Sequence, residues 1–105
     1  MKVLISPGYG AGWSTWAYSP EAASFSRTYQ PIIDALEAGE QLHDSHPVIE
    51  KFMADLKVAT GEEHFYTGGL EDLVVEEVTP PFQIHEYDGS ESITYPGGDH
   101  NWIME

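Results

Sequence analysis

Three groups of residues in this chain have types and spacings suited to chemistry. The stretch SPGYGAGWSTW, Ser6 to Trp16, sets Gly8, Gly10 and Gly12 among Tyr9, Trp13 and Trp16. Glu86 and Glu91 stand symmetrically about Asp88-Gly89 in EYDGSE. His43 and His46 lie three apart in HDSH, with His64, His85 and Asp99-His100 elsewhere.

A glycine-rich loop after an apolar MKVLI suggests a phosphate cradle, but the details argue against one. G-x-G-x-G is not the dinucleotide fingerprint, no lysine follows as in a P-loop, and Trp13-Ser14-Thr15-Trp16 does not open a helix that could hold an anion. The remaining readings are a structural loop whose indoles cap the core, or a recognition surface with Tyr9, Trp13 and Trp16 as apolar anchors. The same stretch lacks the second glycine of a nucleophile elbow around Ser14.

The glutamates are more specific. With Asp88-Gly89 at the centre of a type I′ turn, Glu86 faces Glu91 and Ile84 faces Ile93. Period-two alternation then puts Phe82, Ile84, Glu86, Glu91, Ile93 and Tyr95 on one face. Opposed like charges destabilise a hairpin. Solvent at the turn, a bound cation, a shared proton, or a neighbouring Arg27 or Lys2 could each relieve them. Two carboxylates about 5 Å apart could also do acid–base work, though nothing else here resembles a sugar-cleaving site. The histidine pair sits at a helix entrance before Pro47 and has no third obvious ligand, so no metal site is assigned. The reading is of a protein without catalytic residues, metal or cofactor.

The elements that must position these groups divide at about residue 65. KVLIS reads as a short buried strand ended by Pro7-Gly8. Ser19-Pro20 and Pro31 are helix starts, and Gly39 a helix stop. Val48, Ile49, Phe52, Met53, Leu56 and Ala59 form one apolar stripe at three- and four-residue steps, closed by Gly61. FYTGG, DLVVEEV, FQIHEY and SESITY then change to extended patterning, and Trp102, Ile103 and Met104 give the tail an apolar docking surface. The expected fold is α+β: a small single domain over 1–105, its N-terminal strand joining a C-terminal antiparallel β-meander, with two or three helices on one face.

Charge narrows the partners. Eighteen acidic residues stand against four basic ones in 105 residues, for a formal net charge of −14, and no Lys or Arg follows Lys57. Such a field repels nucleic acid and anionic membranes and attracts basic surfaces. Glu71, Asp72, Glu76, Glu77, Glu86 and Glu91 are the candidate contact acids. There is no cysteine, hence no thiol chemistry or disulfide. The first apolar run is too short for a signal peptide or membrane span, so a cytoplasmic protein is expected.

The blocks MKVLISPGYGAGWSTW and YTGGLEDLVVEEV…FQIHEYDGSESI resemble a group of small accessory proteins of bacteriophages and prophages. The likeness spans the first 16 residues and Tyr66 to Ile93. That group carries no established activity, so no residue role is carried over. The resemblance implies a viral protein acting in the host cell cytoplasm, by analogy an inhibitor in host defence evasion, anti-CRISPR-like, that occupies the basic groove of a host protein. A small-molecule pocket or enzyme site formed by the loop and the Glu86/Glu91 pair, and a structural virion domain, are the alternatives. Homodimerisation stays open.

Overall fold

The computed structural model describes residues 1–95; the expected tail docking through Trp102, Ile103 and Met104, and Asp99-His100, lie outside them. The chain runs β1 (Lys2–Ile5), a 3-10 turn (Ser14–Trp16), α1 (Pro20–Arg27), α2 (Gln30–Glu37) and α3 (Pro47–Thr60). A second 3-10 turn (Leu70–Asp72), β2 (Val74–Glu77), β3 (Gln83–Tyr87) and β4 (Ser90–Thr94) complete it. This is the expected α+β architecture. No helix among the described residues is long and apolar enough to cross a membrane.

The helix boundaries follow local chemistry. Ser19 caps α1 by accepting the Ala22 N–H at 3.1 Å, with Pro20 at the first position. His46 caps α3 through Nδ1, which accepts the Val48 N–H at 3.1 Å, and Gly61 ends it at φ 80°. The N-terminal strand does pair with the C-terminal region, but the expected meander resolves into two separate antiparallel pairs: β1 with β2, and β3 with β4. Thr79-Pro80-Pro81, with a cis bond between the prolines, lies between β2 and β3, and the two strands are not paired with each other.

β1 is buried on both faces, which explains its unbroken apolar run. Leu4 belongs to the core formed with the helices, together with Ile32, Ile33, Phe52 and Leu56. Val3, on the other face, packs with Val78 and Phe82, and Ile84 and Ile93 of the hairpin cover them. Of the α3 stripe, Ile49, Phe52 and Leu56 are buried and Val48 and Met53 partly so; Ala59 is exposed. Phe52 is the hub, with the rings of Trp13, Phe25, Tyr29 and Phe65 all within 5.9 Å of it.

Phe52→Ala empties the centre of that cluster and is expected to cost about 3–5 kcal/mol, enough to lower the melting temperature steeply. An unmoved midpoint would show that α3 is not the core element. Tyr29 gives a second test. Burial, and then its 2.7 Å hydrogen bond to Asp55 Oδ2, push the phenol's pKa up. A raised acid favours its neutral form in the fold, so its contribution is whole below about pH 10 and drains away as pH rises past it. Denaturant titrations between about pH 9 and 11 should show wild-type stability falling and Tyr29→Phe, which cannot ionise, falling less. Parallel curves would remove that account.

Candidate functional site

The glycine/indole loop does hold an anion, and the anion is the protein's own. The side chain of Glu91 is 1% exposed and enters the loop from β4. Its Oε1 accepts the Ser6 N–H at 2.8 Å. Its Oε2 accepts the Trp13 N–H at 2.8 Å, the Thr15 N–H at 3.0 Å and the Thr15 hydroxyl at 2.5 Å. No basic side chain is among these donors. Main-chain N–H groups converging on one point form an anion nest, here filled from within.

Local sequence explains how the loop closes so tightly. A Cβ on Gly12 would lie 2.7 Å from Thr15 Oγ1 and 3.1 Å from Glu91 Oε2, so only glycine allows the backbone to wrap the carboxylate. Gly89 is constrained twice, by φ 84° and by the Ala11 backbone N, into which a Cβ would collide. Around this centre the Glu91 N–H donates to Ser6 O at 2.8 Å, the Gly10 N–H to Asp88 O at 2.6 Å, and Ser90 Oγ to Pro7 O at 2.7 Å. These bonds join loop and hairpin tip into one hydrogen-bonded unit.

Glu86 faces Glu91 in the register, as the turn arithmetic requires. The opposed charges are relieved by separate donor sets. Glu86 Oε2 accepts the Gly89 N–H at 2.7 Å and Trp16 Nε1 at 3.2 Å, and Glu86 stays exposed. Trp16 is half-buried and stacks on Tyr66 with ring centroids 5.4 Å apart.

Two expected contact residues are thus corrected. Trp13 is 0% exposed, its Nε1 donates to Ser26 O at 2.9 Å, and its ring packs on Phe52 and Phe65. It is core rather than an anchor. Glu91 likewise is buried, and its carboxylate serves the loop rather than a partner. The others remain at the surface. Tyr9 is 74% exposed, and Glu71, Asp72, Glu76, Glu77 and Glu86 are exposed. A Cβ on Gly8 would meet the Asp72 carboxylate, so Asp72 borders the loop. Glu76 and Glu77 lie farther along β2, opposite Val3 and Lys2.

Sequence reading missed Tyr87, 78% exposed, which the Gly10–Asp88 bond brings to the same tip as Tyr9. The signal was its place beside the turn on the hairpin's polar face. Ser6 and Thr15 were missed because most of what they supply is main-chain N–H, which no residue type advertises. Among the described residues no group of three or more His, Asp or Glu comes together to hold a metal. His46 instead caps α3 and meets Glu40 Oε1 at 2.7 Å.

Glu91→Gln puts a donor amide among four donors and should cost about 3 kcal/mol or more, whereas Glu86→Gln should cost less than about 1 kcal/mol. Equal effects in chemical denaturation would mean that the nest does not organise the loop. Gly89→Ala should be worse than the roughly 1 kcal/mol of an ordinary exposed glycine change, because backbone atoms already occupy the space.

No protein-family model, curated protein or solved structure matches the chain, and the bearing on function comes from the geometry of these surfaces.

Proposed function

We propose that the protein is a non-enzymatic inhibitor that occupies a basic groove on a host protein, in the setting of a phage accessory gene. The observation that carries this reading is the exposed acidic segment from Glu71 to Glu77. Its carboxylates at Glu71, Asp72 and Glu76 have no ion-pair partner among the described residues, and Glu77 reaches only the N-terminal ammonium at 3.5 Å. The lysines are engaged elsewhere, Lys2 with Glu37, Lys51 with Asp55 and Lys57 with Glu63. A surface with this imbalance attracts cationic partners and speeds their encounter. Tyr9 and Tyr87, carried on the hydrogen-bonded loop and hairpin tip, supply exposed apolar contact area.

Proteins captured by this chain from bacterial lysate should be retained at about 50 mM salt and released by about 500 mM, because exposed charges act through a screened field. Reversing Glu71/Asp72 or Glu76/Glu77 to lysine should abolish capture of the same protein. Tyr9→Ala with Tyr87→Ala should weaken it without changing its salt dependence. Capture insensitive to both charge reversals would sink the reading.

A further inference from the structure

The hydrogen bonding of β2 leaves an edge that has a definite partner chemistry. The Val78 N–H donates to Met1 O at 2.8 Å and the Met1 amine to Val78 O at 2.7 Å, a doubly bonded pair. Antiparallel pairs alternate between doubly bonded and unbonded. With the register Lys2↔Glu77, Val3↔Glu76, Leu4↔Val75 and Ile5↔Val74, the bonded positions are Glu76 and Val74. The N–H and C=O groups of Val75 and Glu77 therefore point away from β1, and no described residue pairs with them.

A groove of about 430 Å³ adjoins β2 where α2 packs near it, lined by Lys2, Leu36, Glu37, Leu73, Val75 and Glu77 among others. Leu36, Leu73 and Val75 pack against the main core, and Glu37 and Glu77 are exposed carboxylates. Lys2 Nζ meets Glu37 Oε2 at 2.6 Å, an exposed pair that an incoming cation can replace.

We infer that this edge receives an extended basic segment of another protein, which adds as a strand beside β2, sets an apolar side chain against Leu36, Leu73 and Val75, and places flanking lysines or arginines by Glu37 and Glu77. The inference rests on the acidic-surface reading above and specifies its mode. Strand addition draws affinity from main-chain bonds and specificity from alternate side chains. Charge selects the occupant. A second copy pairing antiparallel edge to edge would set Glu76 or Glu77 of one chain directly against the same acid of the other, with the remaining acids close by, which repels; exposed charge on an edge commonly guards against self-association.

The probe is a synthetic peptide of alternating lysine and valine, about ten residues long, added to the isotope-labelled full chain. The expected result is exchange protection and shifted NMR signals at the Val75 and Glu77 amides, with Val74 and Glu76, already bonded to β1, largely unmoved. N-methylating one alternate set of peptide amides should weaken binding at least about tenfold, and methylating the other set should leave it within about twofold. Equal effects of the two sets, with binding still lost on charge reversal, would overturn strand addition and leave the acidic-surface reading standing. No binding of the unmethylated peptide at low salt overturns it too, while lysate capture judges that reading separately. Self-association that protects the Val75 and Glu77 amides without peptide would replace the basic segment with a second copy.

Discussion

A carboxylate buried with no cation bonded to it among the described residues is the constraint on which the rest of this structure depends. Removing an ion such as Glu91 from water costs several kcal/mol even after relaxation. Hydrogen bonds to a charged acceptor contribute about 1.5–3 kcal/mol each, so the four around Glu91 are enough to offset that penalty. Three of the donors are main-chain groups, which makes the stabilisation conditional on backbone shape. The loop must adopt one conformation or the charge is stranded. This condition accounts for glycine at position 12, for glycine at the hairpin turn, and for the bonds that join Gly10 to Asp88 and Ser90 to Pro7.

The same interaction fixes how the layers assemble. β1 ends at Ile5 and Ser6 follows directly, donating to Glu91 through its N–H and accepting from the Glu91 N–H through its carbonyl. The hairpin is thereby registered against the end of β1, and Ile84 and Ile93 are laid over Val3, Val78 and Phe82. Two residues beyond Ala11, the chain delivers Trp13 into the helical core beside Phe52 and Phe65. One buried acid thus ties together the two cores that β1 separates. Neither two-stranded pair is expected to be stable alone, so the coupling between them is part of what makes the sheet elements persist.

Much of this was legible in the sequence. The hairpin register followed from Asp88-Gly89 alone, and the three helices from Ser19-Pro20, Pro31 and the stripe around Phe52. What could not be read was which surface each chemically suggestive residue would face. Glu91 looks like an exposed acid because its partners are main-chain N–H groups distant in sequence. Trp13 and Trp16 are three apart and alike in type, yet one is core and the other half-exposed, a difference set by tertiary packing. The split of the meander into two pairs was also hidden, because strand patterns report alternation and not which edges meet. The exposed acids from Glu71 to Glu77 were the easiest to place, since carboxylates without partners stay in water.

The internal anion also bears on the glycine loop's apparent contradiction with the chain's charge. A nest open to solvent in a protein of net charge −14 would have to draw phosphate against a repelling field. A tethered carboxylate arrives at high effective concentration and meets no diffusional barrier, so the internal ligand outcompetes any free one. Filling the nest this way converts a binding loop into a brace. The loop's outer side then carries only what its tip displays, Tyr9 beside Tyr87, with Asp72 at its border. Because hydrogen bonds tie the backbone beneath them into the fold, the freedom those side chains lose on contact is that of their own rotamers. The acid at the centre of the loop acts on any partner only through the surface it holds still.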